Sequence, residues 1–233
     1  MSAPRAFVAG ATGFVGRALV QALVARGVDT TAHVRPDSGR LAAWRDRLGA
    51  LGAKVDTTAW DDAAMAATLA GLAPTQVFCT IGTTRKRAKA DAISGDIYQA
   101  VDVGLTRTLV AGAVASGARP RLVVLSSIGA SASSSSAYLR ARAQAEQLAI
   151  DSGLSWAIAR PSFIAGEGRD DQRRLEDTAA TIANGLLGVL GALGGKKLRD
   201  KYRSIGPDQL AAQLVRLGLD ERADRIYEAA DLR

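Results

Sequence analysis

Short apolar runs alternate along this chain with longer segments of helical period. Arg5 to Ala9 has the length and apolar content of a buried strand. Leu19/Leu23 and Val20/Val24, at i, i+4 spacing, then mark one apolar helix face, and Gly27 suits the left-handed position beyond a helix C-terminus. Asp29 to Val34 predicts a second strand. Leu41, Trp44, Leu48 and Leu51 predict a second helix closed by Gly52, and Ala53 to Asp56 a weaker third strand. Asp61 is placed to cap a helix carrying Met65, Leu69 and Leu72, and Gln76 to Ile81 reads as a fourth strand. A helix from Gly95 to Ser116 carries Ile97, Val101, Leu105 and Leu109 at i+4 steps. Pro120 opens a fifth strand that runs to Ser126, and Ser131 to Ser136 is a serine-rich loop. Ala137 to Ser152 reads as a helix, and Ser155 to Arg160 as a sixth strand ended by Pro161. Asp208 is read as the cap of a late helix and Arg225 to Glu228 as the last strand.

Strands and helices in this alternation predict an α/β fold, a doubly wound parallel sheet with helices on both faces. Residues 1–233 read as a single domain. Residues 166–205 fit the alternation least and read as a small substrate-side segment appended within it. Such sheets bind ligands beyond the carboxyl ends of their strands, so the residues that follow each strand carry the chemistry.

The first of these is Gly10-Ala11-Thr12-Gly13-Phe14-Val15-Gly16, between a strand and an amphipathic helix. Glycines there permit a tight turn and close approach of backbone to a pyrophosphate, which sits on the positive helix N-terminus. Gly10, Thr12, Gly13, Phe14, Val15 and Gly16 are therefore the candidate dinucleotide cradle. Binders of NAD usually carry Asp or Glu at the end of the second strand, about 20 residues past the glycines. This chain has Arg35 there, with Arg40 close by, and a guanidinium suits a 2′-phosphate. The expected cofactor is NADP, with NAD left open by Asp37.

Composition narrows the rest. Cys79 is the single cysteine and His33 the single histidine, so disulfide frameworks and His- or Cys-rich metal sites are excluded. Both lie within predicted strands and read as core residues. The net charge of +7 comes from two basic runs, Arg85 to Lys89 and Lys196 to Arg203, which read as a rim around a nucleotide cleft. No aromatic residues interleave them, which disfavours nucleic acid. No segment has the ~18 apolar residues of a membrane span. The N-terminus does not read as a signal peptide, so the expected location is cytoplasmic. Leu186 to Leu193 is a glycine-interrupted apolar stretch with two readings, a lid over an apolar substrate or a dimer contact. Monomer and homodimer both stay open.

Three further strings follow the later strands: Cys79-Thr80-Ile81-Gly82-Thr83-Thr84-Arg85, Leu125-Ser126-Ser127 with Tyr138-Leu139-Arg140-Ala141-Arg142, and Arg160-Pro161-Ser162. Together with the glycine turn, in this order, the chain resembles the atypical short-chain dehydrogenase/reductase superfamily, Rossmann-type proteins. Within it the chain is similar to the small oxidoreductases related to the Tat-interacting protein of 30 kDa and to their NAD-dependent epimerase-dehydratase relatives. The resemblance runs from Ala6 to about Tyr227. It implies a site of Ser, Tyr and Lys, the last two spaced Y-x-x-x-K. On that pattern Tyr138 exchanges a proton with the substrate oxygen while nicotinamide exchanges a hydride, and Ser127 (or Ser126) hydrogen-bonds the same oxygen. Position 142 is arginine where the pattern has lysine. Arg142 carries the cation that would hold the nicotinamide ribose and polarise Tyr138, but it never gives up its proton. Thr80, Gly82 and Ser126 are implied to line the cofactor, and Pro161, Ser162 and Phe163 to flank its nicotinamide.

Two functions follow. One is an NADP-dependent reductase or dehydrogenase acting on a small carbonyl or alcohol. The other is an NAD(P)-binding regulatory or partner-binding module with little turnover, because of Arg142. A nucleotide-sugar epimerase is less favoured, since this length leaves little room for a sizeable substrate domain.

Overall fold

The structure, a computed structural model, describes residues 3–83, 95–165, 204–220 and 223–232. Its frame is one parallel sheet of seven strands: β1 (Arg5–Ala9), β2 (Asp29–His33), β3 (Lys54–Asp56), β4 (Gln76–Cys79), β5 (Arg121–Leu125), β6 (Trp156–Arg160) and β7 (Arg225–Glu228). They lie in the order β3-β2-β1-β4-β5-β6-β7, every neighbouring pair parallel. The order reverses between β1 and β4, which opens a crevice beyond their carboxyl ends.

Side chains of a strand point alternately to its two faces, and the two cores follow that alternation. Ala6, Val8 and Phe78 face α1 (Phe14–Ala25), α2 (Leu41–Ala50) and α6 (Pro207–Leu219), packing with Leu19, Leu23, Leu48 and Leu214. Phe7, Ala9, Val77 and Cys79 face the other way, onto α3 (Asp62–Leu72), α4 (Thr106–Ala115) and α5 (Ala137–Ile150), meeting Met65, Leu69, Leu109 and Ala149. Each fully buried Leu or Phe contributes ~1.5–3 kcal/mol, and the interleaved faces explain why the strands read as nearly continuous apolar runs.

Caps appear largely where the sequence puts them. Asp61 accepts a hydrogen bond from Ala64 N at 2.9 Å, and Ser136 caps α5. Gly27, at φ 71°, closes α1 with Gly27 N to Val24 O and Val28 N to Leu23 O. Asp208 is a correction. The N-cap of α6 is Gly206, and Asp208 lies inside the first turn. Pro207 has the fixed φ that suits a first helical residue, which moves the cap two residues back, from Asp208 to Gly206. Asp208 still faces the positive helix end favourably.

The helix expected over 95–116 is the larger difference. It begins with a π-helical segment, Tyr98–Leu105, that runs directly into α4. A π turn takes in about one residue more than an α turn, which displaces the buried face. Val101 is only half-buried as a result, while Asp102 is 1 % exposed and Val103 3 %. The apolar segment Leu186 to Leu193, the basic runs and nearly all of the expected substrate-side segment lie outside the described residues.

His33 and Cys79 are core residues, as expected. His33 packs between Phe7 and Trp60, with ring centroids at 5.8 and 4.6 Å, and its Nε2–H donates to Thr58 O at 2.8 Å. Burial lowers its pKa, against the Thr58 carbonyl and Asp56, which pull it up. The unfolded chain therefore takes up a proton at a pH where folded His33 does not. Stability is full above the ordinary histidine value of 6.5 and falls as the pH drops below it. Urea midpoints at pH 7 and pH 5.5 will show that loss in the wild type, and His33→Gln will flatten it; equal slopes would refute the assignment.

Candidate functional site

The glycine turn lies at the reversal between β1 and β4 and is folded tightly on itself. Gly13 N donates to Gly10 O at 2.9 Å. Gly10 has φ 83°, and a Cβ there would stand 2.7 Å from the carbonyl of Thr80, beyond β4. A Cβ on Gly16 would collide with Gly10 O. Only glycine permits this approach of the turn to the end of β4. Thr80 spends both its N–H and its hydroxyl on Ala9 O, at 2.9 and 2.8 Å, and so serves as the wall against which the turn rests. Helix α1 starts from Gly13 with no side-chain cap and no acidic residue in its first turn. A pyrophosphate fits that end: its charge meets the helix dipole and no carboxylate repels it. Thr12 and Phe14 stand half-buried in the turn, while Val15 packs into the core.

The edge beyond β2 is basic. Arg35 is half-buried and pairs with Asp37 at 3.6 Å. On α2, Trp44 collects guanidinium groups from Arg17, Arg40 and Arg47, at 5.8, 5.4 and 5.8 Å from its ring. Arg40 and Arg47 flank Trp44 at i−4 and i+3, a spacing legible in the sequence. Arg17 comes from α1 and joins them only through the fold.

Tyr138 and Arg142 share one face of α5, as their spacing requires. The Tyr138 ring stands half-buried between Tyr98, edge-on at 5.6 Å, and the Arg142 guanidinium, 5.2 Å from the ring centre. Arg142 is 8 % exposed. Its Nη1 donates to Ile81 O at 3.0 Å and to Leu125 O at 3.1 Å, the chain just past β4 and the last residue of β5. Nη2 lies 3.0 Å from Asp102 Oδ1. That contact is an ion pair in distance but not a directed hydrogen bond, since Oδ1 and Arg142 Nε are both buried without a hydrogen-bond partner. Thr83 N donates to Oδ2 at 3.1 Å. Burial raises the Asp102 carboxyl above its usual range, with Arg142 and the Thr83 N–H opposing. Burial works against the Arg142 cation, yet Tyr138 and Asp102 outweigh it and hold its pKa above the ordinary value.

The two serines diverge, as strand alternation demands. Ser126 is buried and donates to Glu146 Oε1 at 2.5 Å. Glu146, 3 % exposed, is held by Arg160 from Nε at 2.8 Å and Nη2 at 2.6 Å. Ser127 is half-buried, and among the described residues its hydroxyl makes only a long 3.3 Å contact with Ile128 O. Beyond β6, Pro161 O accepts from Ile128 N at 3.0 Å, and Phe163 O from Ile205 N at 2.8 Å. Pro161 and Ser162 border a cavity of about 200 Å³ with Ile205, Gln209 and Leu232. Burial pushes the Cys79 thiol up, so it offers no nucleophile.

The sequence reading missed Asp102, Glu146 and Tyr98. Glu146 had a signal, because Tyr138, Arg142 and Glu146 repeat at i+4. Asp102 and Tyr98 had none, since the π-helical turn that places them is not written in the apolar pattern.

A family model described as NAD(P)H-binding matches residues 10–185. No curated protein sequence matches the chain. Among solved structures the chain is similar to a putative epimerase from Burkholderia cenocepacia J2315, with 24% identity and TM-score 0.68, covering 98% of this chain and 78% of that one. It is also similar to a short-chain dehydrogenase/reductase family oxidoreductase from Burkholderia thailandensis, with 20% identity and TM-score 0.63, covering 94% of this chain and 87% of that one. The Bordetella bronchiseptica enzyme WbmH in complex with NAD+ aligns at 16% identity and TM-score 0.65, over 97% of this chain and 75% of that one. The chain belongs to the NAD(P)H-binding family, and its likeness to these solved structures shows a Rossmann-type fold.

Proposed function

We infer that the protein is an NADP-dependent oxidoreductase of the short-chain type acting on a small carbonyl or alcohol. The observation that carries this reading is Tyr138 itself: a half-buried phenol at the carboxyl edge of the sheet, held beside a permanent cation. A bound nicotinamide supplies the hydride. Tyr138 donates or accepts the proton at the substrate oxygen, and Ser127, whose hydroxyl is barely engaged, hydrogen-bonds that oxygen. The backbone of Gly10, Thr12, Gly13, Phe14, Val15 and Gly16 holds the pyrophosphate. Thr80, Gly82 and Ser126 form the adjoining wall, and Pro161, Ser162 and Phe163 flank the nicotinamide end.

The basic edge beyond β2 supports NADP over NAD. Arg35 and the guanidinium groups around Trp44 supply the charge that a 2′-phosphate needs, and Asp37 is paired with Arg35 rather than facing a ribose alone. One observation favours the second reading, a dinucleotide-binding module with little turnover. Both terminal nitrogens of Arg142 are engaged within the protein.

Fluorescence titration is expected to show NADPH binding at least about tenfold tighter than NADH, the worth of roughly one charge-assisted contact. The double variant Arg35→Gln/Arg40→Gln narrows the ratio to about threefold or less. Equal affinities in the wild type would refute the NADP assignment. Gly16→Ala, whose Cβ meets Gly10 O, will weaken both cofactors together. Against a panel of aldehydes, ketones and quinones, Tyr138→Phe should keep NADPH binding and lose about 100-fold or more in NADPH oxidation. Tight binding with no oxidation of any compound would move the assignment to the regulatory module.

A further inference from the structure

Arg142 stands where the family pattern implies a ribose-binding lysine, yet its surroundings are those of a strut. Three partners surround the guanidinium: the hydrogen-bond acceptors Ile81 O and Leu125 O, and the Asp102 carboxylate as an ion pair. They come from the segment after β4, the end of β5 and the π-helical segment, and α5 contributes the arginine itself. A planar fork with five N–H donors can meet acceptors in three directions, whereas an ammonium on a flexible stem concentrates its charge at one point. Gly82 completes the arrangement. It follows Ile81, and a Cβ there would collide with Arg142 Nη2 while standing 3.8 Å from Asp102 Oδ1. An arginine side chain would ordinarily swing aside for a methyl group. Here it cannot do so without leaving the two carbonyls and the Asp102 carboxylate.

We propose that Gly82, Asp102 and Arg142 form a positioning unit for Tyr138, and that Arg142 acts on the phenol ring rather than on the cofactor. The proposal rests on the reading of Tyr138 as the proton-exchanging residue, and it accounts for the arginine at 142. Arg142 lies against one side of the Tyr138 ring and Tyr98 meets it edge-on. Asp102 holds the guanidinium in place and balances its charge out of water. Gly82 leaves the room in which the guanidinium lies. Each member acts through the next, and Tyr138 alone of the four faces the substrate.

The test uses the full chain labelled with 3-fluorotyrosine and read by fluorine NMR, with the Tyr138 signal assigned by its loss in Tyr138→Phe. Tyr227, buried on β7, serves as the internal control. Arg142→Lys, Asp102→Asn and Gly82→Ala are each expected to move the Tyr138 signal and leave that of Tyr227 in place. In an Arg142→Lys background Gly82→Ala should add no further shift, because the methyl group acts through the guanidinium. NADPH affinity of Asp102→Asn/Arg142→Gln, which removes the cation together with its partner, should stay within about threefold of the wild type, a loss too small for a removed charged contact. If Asp102→Asn fails to fold with the guanidinium unpaired, Asp102→Asn/Arg142→Gln removes both charges and carries the same expectation. An unmoved Tyr138 signal in the Asp102 and Gly82 variants overturns the proposal. So does a loss of tenfold or more in NADPH affinity on Asp102→Asn/Arg142→Gln, the mark of direct cofactor contact. Failure of the wild type to bind any dinucleotide would instead refute the functional reading, and the fluorine signals would still judge the positioning unit.

Discussion

A guanidinium taken out of water must find partners, and in this fold the partners of Arg142 are the ends of the central strands. The carbonyls of Ile81 and Leu125 and the carboxylate of Asp102 converge on it from three separate stretches of chain. Removing one member of such a buried pair typically costs about 3–5 kcal/mol, a large part of the ~5–15 kcal/mol that keeps a domain folded. The carboxyl edge, where the chemistry of this fold is done, is thus held by charge. The rest of the molecule is held by apolar packing on the two faces of the sheet.

The same logic continues along α5. Ala141, Ala145 and Ala149 are small and buried, letting the helix lie close to its neighbours. Beside them run Tyr138, Arg142 and Glu146. The last draws Ser126 of the segment after β5 and Arg160 of β6 together, and Arg160 reaches Glu228 on β7 at 3.1 Å. One helix face therefore presents an aromatic hydroxyl at the edge, a cation behind it and a carboxylate deeper still. Ser126 is drawn into this ladder, and its neighbour Ser127 is left to face outward.

The glycine turn and the basic edge occupy the other half of the crevice. The turn is as compact as backbone contact allows, since Gly10 and Gly16 have no room for a Cβ. Beyond β2, Trp44 gathers arginines from two helices' worth of chain. The solved structures that share the architecture include a putative epimerase and an oxidoreductase, at 24% identity or less among those compared, so shape alone does not choose between these activities.

Period and punctuation in the chain were enough for the strand–helix alternation, the parallel sheet, the glycine turn and the pairing of Tyr138 with Arg142 on one helix face. These depend on local rules: apolar spacing, caps, and the conformations that glycine and proline allow. Strand ends came out one or two residues too long at β2, β3, β4, β5 and β6, and the cap of α6 was misplaced by Pro207. Asp102 stayed hidden because a π-helical turn rotated it inward, out of phase with the apolar stripe of Val101, Leu105 and Leu109. Arg17 beside Trp44, Gly82 beneath Arg142 and the separation of Ser126 from Ser127 in role are likewise matters of assembly. Local pattern records which face of a segment prefers to leave water. Which polar group then meets which is settled only when distant segments pack, because a buried charge is satisfied by whatever the fold brings within about 3 Å of it.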